Sequence, residues 1–203
     1  MAEEAQSMII VTAYDEAFSE VGDLCAESIL RYCYRQKDHN PYIMPLIPAG
    51  RPMSWEKIGI IKWLLKRCKQ TVLWVDADAI IVGADNFSKI IREDCTLNIA
   101  MDANGINCGI MAWNPVPQAI AALERMESMY DKYADHPWME QMALMEFISE
   151  LSVHYQPKTV WNAYPPEVTG GGDIATETMI MHWPGCDNET RIKGMKEALE
   201  KLV

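Results

Sequence analysis

The sequence predicts an α/β domain with a mixed, mostly parallel central sheet flanked by helices, and three observations carry that reading. An unbroken apolar run, Thr71-Val72-Leu73-Trp74-Val75, ends at Asp76-Ala77-Asp78, and a second apolar run follows over 79–82. A run without polar alternation marks a strand buried on both faces, the habit of a central strand in a parallel-rich sheet. Near the start, Met8-Ile9-Ile10-Val11-Thr12-Ala13 is a short β-branched run, followed by helical periodicity over 24–35. That is the strand–loop–helix opening of a nucleotide-binding α/β unit. Finally, 203 residues, 49% hydrophobic and 23% charged, are enough for one domain with a sizeable core.

Composition removes several classes of function. A net charge of −11 and a pI near 4.8 argue against a nucleic-acid partner, which would require a basic surface. Lys62, Lys66, Arg67 and Lys69 do cluster, but at helical spacing they read as a solvated face rather than an anion site. The six cysteines include no Cys-x-x-Cys pair, so neither a zinc site nor a disulfide framework is expected. Residues 1–6 lack the basic start and long apolar core of a signal peptide. No run approaches the ~20 apolar residues of a membrane span. These readings predict a reduced, cytoplasmic, soluble protein.

In chain order, the first strand closes on Thr12, Ala13 and Tyr14; the tyrosine reads either as a base-stacking group or as packing. Residues 42–47 form a second strand that Pro45 assigns to an edge or a bulge. Ser54 reads as the N-cap of a helix over 55–69, with Trp55, Ile58, Ile61, Leu65 and Cys68 on its core face. Lys57 falls in that helix's first turn, unfavourable for a cation, so it either reaches a ligand or is exposed to solvent. Asp76 and Asp78 form either a metal-binding pair at a strand end or an acidic turn. Unpaired buried carboxylates are costly, and ligands of open α/β sheets bind at that end of the strands.

Residues 86–92 read as a short helix. Runs 96–101 and 106–113 read as two strands about Asn104-Gly105, a hairpin signal that favours antiparallel pairing. Gly109 inside the second marks a bulge or a close approach. Helices follow over 118–132 and 138–151, the latter rich in methionine that serves as adaptable core. Residues 153–155 and 159–161 are short strand candidates. Gly170-Gly171-Gly172 reads as a lid or a linker. A last strand over 179–185 carries His182, and a charged helix over 189–203 closes the chain.

Five segments in one order resemble a known family: Ser54-Trp55-Glu56-Lys57-Ile58, Leu73-Trp74-Val75-Asp76-Ala77-Asp78, Ile106-Asn107-Cys108-Gly109, Glu140-Gln141 and His182-Trp183-Pro184-Gly185-Cys186. Together they resemble nucleotide-sugar-dependent glycosyltransferases of the GT-A fold, a Rossmann-related architecture. Within that fold the segments most resemble the fungal α-galactosyltransferases and plant xyloglucan xylosyltransferases, with a more distant resemblance to the glycogenin-like family. The resemblance implies one domain over 1–203, with a nucleotide-binding half at 8–102 and an acceptor- and metal-completing half at 103–203.

It also implies roles for particular residues. Asp76, Asp78 and His182 would hold a divalent cation on the donor diphosphate. Thr12, Ala13, Tyr14, Lys57, Asp76, Ala77, Gly109 and Gly185 would bind the nucleotide-sugar. Asn107, Glu140 and Gln141 would stand beside the sugar as catalytic candidates, although the family usually has aspartate where this chain has Glu140. The glycogenin-like family's Lys-Pro-Trp diphosphate clamp is not matched; Arg191 and Lys193 come later and outside that motif. Two carboxylates and one imidazole favour Mn²⁺ over Mg²⁺, and a bound cation offsets charge on a leaving nucleoside diphosphate.

The expected activity is therefore transfer of a hexose or pentose, with retention, from a UDP-sugar to a glycan, lipid, protein or small-molecule acceptor. Two other readings stay open. A nucleotidyltransferase would carry a glycine- and base-rich phosphate loop after the first strand, which Thr12-Ala13-Tyr14-Asp15-Glu16 is not. A nucleotide-sugar-binding protein without turnover would suit a short chain.

Overall fold

The computed structural model describes residues 7–46 and 50–202. Residues 1–6, Ile47 at the end of the expected second strand and Val203 at the end of the expected last helix lie outside them. The chain runs β1 (Met8–Tyr14), α1 (Ser19–Gln36), β2 (Asn40–Pro45), α2 (Met53–Cys68), β3 (Thr71–Val75), β4 (Ala79–Ile81), β5 (Leu97–Asp102) and β6 (Gly105–Trp113). It continues with α3 (Pro117–Ser128), α4 (Tyr130–Tyr133), α5 (Met139–Met145), β7 (Val153–Gln156), α6 (Lys158–Trp161), α7 (Pro166–Thr169), β8 (Ile180–His182) and α8 (Asn188–Glu200).

Six strands form one sheet in the order β2-β1-β3-β6-β5-β7, in which β6 alone runs against its neighbours. β4 and β8 pair separately as a short antiparallel ladder. The sheet is thus mixed and mostly parallel, with Pro45 on the edge strand β2, where a residue without an N–H is tolerated. β5 and β6 make the antiparallel hairpin signalled by Asn104-Gly105, with Gly105 at φ 109°.

Side-chain alternation divides the core into two layers. Ile10, Leu73, Val75 and Ala112 face α1, α8 and the β4–β8 ladder. Ile9, Val11, Val72, Trp74, Met111 and Trp113 face α2, α3 and α5. Every residue of β3 is buried, because helices cover both sides of it. In α1, Val21, Cys25, Ile29, Tyr32 and Cys33 recur at helical spacing on the inner side.

Several local expectations give way to tertiary contacts. Helix α2 starts at Met53 with Pro52 at its N-cap; Ser54 lies inside the first turn and directs its hydroxyl to Met139 Sδ at 2.9 Å. The helix expected over 86–92 shrinks to one 3-10 turn, Phe87–Lys89, because the Arg92 amide bonds Asn98 and the Arg92 carbonyl accepts from Asn98 and Asn114. The helix expected over 118–132 breaks at Met129, and the one over 138–151 ends at Met145, ahead of a 3-10 turn. Residues 159–161 turn as helix rather than extend. Pro157 starts the turn, and Trp161 is fully buried with its indole N–H donated to Ile110 O at 3.1 Å. The last strand is only Ile180–His182 and joins β4, not the main sheet.

Gly194 is where α8 meets the buried indole of Trp183: a Cβ there would lie 2.5 Å from Trp183 Nε1 and 2.9 Å from Cε2. The rigid ring cannot withdraw, so Gly194→Ala incurs overpacking of about 1–3 kcal/mol, against a helix-propensity gain of up to ~1 kcal/mol. The expected outcome is a net loss of stability of about 1 kcal/mol, measured as a lower urea midpoint at unchanged slope.

Candidate metal and nucleotide site

The site begins where β3 ends. Asp76 follows Val75 directly; its amide donates to Gly109 O on β6 at 2.8 Å, and a tight turn closes with Ala79 N bonding Asp76 O at 3.0 Å. The chain then enters β4, whose partner β8 pairs Ala79 with His182 and donates Trp183 N to Asp78 O at 3.0 Å. This ladder brings a histidine from late in the chain onto the acidic turn. The ligand atoms of Asp76, Asp78 and His182 all fall within 4.8 Å of one another.

Each carboxylate has its own cation. Asp76 Oδ1 accepts from Lys57 Nζ at 2.9 Å and from the Trp74 indole at 2.5 Å. Lys57 is 3% exposed and also meets Glu140 at 3.1 Å and Cys108 O at 3.2 Å. Burial alone would favour loss of its proton; Asp76 and Glu140 more than reverse this and hold its pKa above the ordinary lysine value. Burial pushes Glu140 up from the usual carboxylate range, partly offset by Lys57. On the other side, His182 Nε2 faces Asp78 Oδ1 at 3.1 Å and Arg191 Nε faces Oδ2 at 3.2 Å. Burial raises the Asp78 pKa, but His182 and Arg191 outweigh it and hold the group below its ordinary value.

Hydrogen bonding sets the state of His182. Its Nδ1 meets Asn162 Oδ1 at 2.8 Å. With Nδ1–H donated to that amide oxygen, Nε2 is the ring nitrogen turned to Asp78. Nε2 and Asp78 Oδ1 stand 3.1 Å apart, close enough for one metal ion to take both. An imidazole anchored through its other nitrogen is the arrangement of a metal-ligating histidine. The donor set of two carboxylates and one imidazole could hold a divalent metal ion. Gly109 lets the ring in: a Cβ there would lie 2.4 Å from His182 Cε1.

A cleft of about 390 Å³ opens beside this group. Ala13 and Tyr14 of β1 and Phe18 form one wall, Ser54 and Lys57 of α2 the other, and 76–78 the floor. Tyr14 lays its ring on Gly22, where a Cβ would come within 2.2 Å, and donates its hydroxyl to Asp23 at 2.7 Å. Thr12 is fully buried in β1 and does not line the cleft.

The remaining candidates form a second group past the metal ligands. Asn107 donates to Asp102 at 3.0 Å and to the Tyr164 hydroxyl at 2.9 Å, and accepts from Gly109 N at 2.9 Å. Gln141 Oε1 accepts from Cys108 N at 3.3 Å. Tyr164 donates to Asp102 at 2.7 Å and sets its ring edge-on to His182, centroids 6.0 Å apart. Gly185 is exposed at φ 73° beyond the end of β8 and outside the cleft lining.

Sequence reasoning missed Asn162, Tyr164 and Asp102, none of which carries a local signal. It also missed the indole of Trp74, which two-residue spacing places on the same side as Asp76. Arg191 was noted only as lying outside a motif, yet it reaches Asp78.

No protein-family model matches the sequence, and no curated protein matches it. Solved structures do. A glycosyltransferase involved in the glycosylation of the major capsid of PBCV-1 superposes with a TM-score of 0.78 at 14% identity, over 94% of this chain and 99% of that one. The galactosyltransferase LgtC, solved with donor and acceptor sugar analogues, gives 0.67 at 14% identity over 96% and 95%. The bifunctional glycosyltransferase WbbM gives 0.71 at 11% identity over 100% of this chain and 50% of that one. The fold is that of GT-A-type glycosyltransferases; at these identities the likeness is one of fold.

Lys57 is the charge most exposed to test. Lys57→Met leaves Glu140 buried without a counter-charge and is expected to lower stability by about 3–5 kcal/mol. Lys57→Met/Glu140→Met is expected to recover most of that loss, because Asp76 retains access to water. Urea unfolding of the two variants beside wild type measures both outcomes.

Proposed function

We propose that the protein is a metal-dependent glycosyltransferase that moves a hexose or pentose from a UDP-sugar to an acceptor, with retention. The carrying observation is the convergence of Asp76, Asp78 and His182 within 4.8 Å, at the end of β3 and beside the cleft. LgtC, of the same fold, is a galactosyltransferase solved with donor and acceptor sugar analogues. Retention and the UDP-sugar donor rest on the resemblance to the fungal and plant family.

In this reading Asp76, Asp78 and His182 hold Mn²⁺, or Mg²⁺ in its place. When bound, the ion supplies Lewis-acid neutralisation of charge developing on a departing diphosphate. The chain's own residues do the positioning. One face of the Tyr14 ring is covered by Gly22, so the other serves as a platform for the base at the mouth of the cleft. Ala13, Ala77 and Gly109 bring backbone close to the donor, and Lys57 orients Asp76 through its ammonium. Asn107 and Gln141 stand where the sugar would lie. Glu140 acts through Lys57 rather than as a free carboxylate, since its contact is with that ammonium. Gly185 gives the chain its left-handed turn after His182. The acceptor, whether glycan, lipid, protein or small molecule, would approach from the Asp102–Tyr164 side.

The test is calorimetric titration of UDP, GDP and inorganic phosphate, with and without Mn²⁺, on wild type and Asp78→Ala. Expected is UDP binding that requires Mn²⁺ and weakens at least about tenfold in the variant, the low end of what removing a ligand's support costs. Nucleotide binding indifferent to both metal and substitution would reject the metal site. Metal-dependent UDP binding with no UDP-sugar turnover against any acceptor or water would favour a binding protein instead.

Asn162 provides a second check. Asn162→Ala removes the acceptor that orients His182, and Mn²⁺ affinity is expected to fall about 10–100-fold. Electron paramagnetic resonance of unbound Mn²⁺ reads it directly.

A further inference from the structure

Asp78 has a second partner with its own geometry. Arg191, on the first turn of α8, sets Nε 3.2 Å from Asp78 Oδ2 and donates the same N–H to Trp183 O at 3.2 Å. Its Nη1 donates to Asn188 Oδ1 at 3.1 Å, and Nη2 has no hydrogen-bond partner among the described residues. The guanidinium carbon lies 5.5 Å from the centre of the Phe18 ring. Both Phe18 and Asp78 line the cleft. Arg191 does not itself line the cleft; it is a cation held behind Phe18 and Asp78 by a carboxylate that a metal ion would also claim.

Charge balance makes that competition consequential. Asp76, Asp78 and Glu140 face Lys57 and Arg191, three carboxylates against two cationic side chains before His182 is counted. A divalent cation would reverse the sign, and an anion would then restore balance. Guanidinium groups bind phosphate oxygens through paired N–H donors, and Arg191 has an uncommitted amine for the purpose.

We propose that Arg191 is an exchangeable counter-ion. It pairs with Asp78 until a divalent cation takes that carboxylate, then turns its guanidinium to the diphosphate of the nucleotide. This rests on the glycosyltransferase reading above and adds to it a coupling between metal and nucleotide. Because the guanidinium opposes the metal and favours the anion, its removal shifts the two affinities in opposite directions. A residue that merely braces the site would weaken both.

The experiment measures Mn²⁺ alone, and UDP at saturating Mn²⁺, by calorimetry on wild type, Arg191→Gln, Arg191→Lys and Lys193→Gln. Arg191→Gln is expected to bind Mn²⁺ about 3–10-fold more tightly and UDP at least about tenfold more weakly, the scale of one charge-assisted contact. Arg191→Lys keeps the charge and the stem beside Phe18. It is expected to give the same opposite shifts at smaller size, and it carries the test if the glutamine variant does not fold. Lys193 is exposed on the same helix, and Lys193→Gln is expected to leave both affinities within about twofold, as a screened surface charge should. Shifts of Arg191→Gln in one direction, no shift, or equal shifts from Lys193→Gln would overturn the proposal. In those cases metal-dependent UDP binding by wild type would leave the glycosyltransferase reading intact; its absence would remove both.

Discussion

The arrangement of this molecule follows from the cost of placing carboxylates at the end of a strand buried on both faces. β3 has no exposed residue, so the chain emerging from it at Asp76 does so between two packed layers. A charge in that position has to be compensated or neutralised. Compensation comes from the Trp74 indole within β3 and from elements distant in sequence: Lys57 on α2, His182 on β8 and Arg191 on α8. Each must be packed against the core to hold its polar group in place. The acidic turn therefore organises the elements around it as much as it depends on them.

Local signals made the frame legible. An apolar run ending in Asp-x-Asp marked β3 as central, β-branched residues marked β1, Pro45 marked an edge, and Asn104-Gly105 marked a hairpin. What failed were segments whose conformation is set by one long-range contact. Thr159-Val160-Trp161 has the propensity of a strand, yet burial of Trp161 behind Pro157 makes it helical. The β4–β8 ladder joins two three-residue strands that neither periodicity nor turn chemistry links, so the final strand was placed without its partner.

The same distinction runs through the site. Asp76 and Asp78 were visible because two carboxylates conflict with the apolar run before them, a local inconsistency of the kind that marks functional positions. Lys57 was read as reaching a ligand or exposed to solvent; it is buried between two carboxylates, which only packing of α2 on α5 could reveal. Gly109 reads as a bulge or a close approach, and both hold: the β5–β6 register shifts opposite it between Ile99 and Ala100, and the ring of His182 approaches it. Asn162 had no signal at all. A fully buried amide that orients an imidazole looks, in sequence, like any other asparagine in a loop.

The two cations that hold the acidic pair come from opposite layers of the core. Lys57 and Glu140 belong to helices packed on the face that carries Trp74, whereas His182 and Arg191 belong to the ladder and helix on the face that carries Leu73 and Val75. The site thus straddles the sheet at its carboxyl end, and a ligand spanning Asp76 to Arg191 would contact both layers at once. Such a ligand meets Lys57, Asp76 and His182 already held by packing, which leaves Arg191 as the group that reorients. The same placement explains why glycine is needed at 109. A Cβ on strand β6 at that position would lie 2.4 Å from His182 Cε1 and displace the imidazole from the carboxylate it faces.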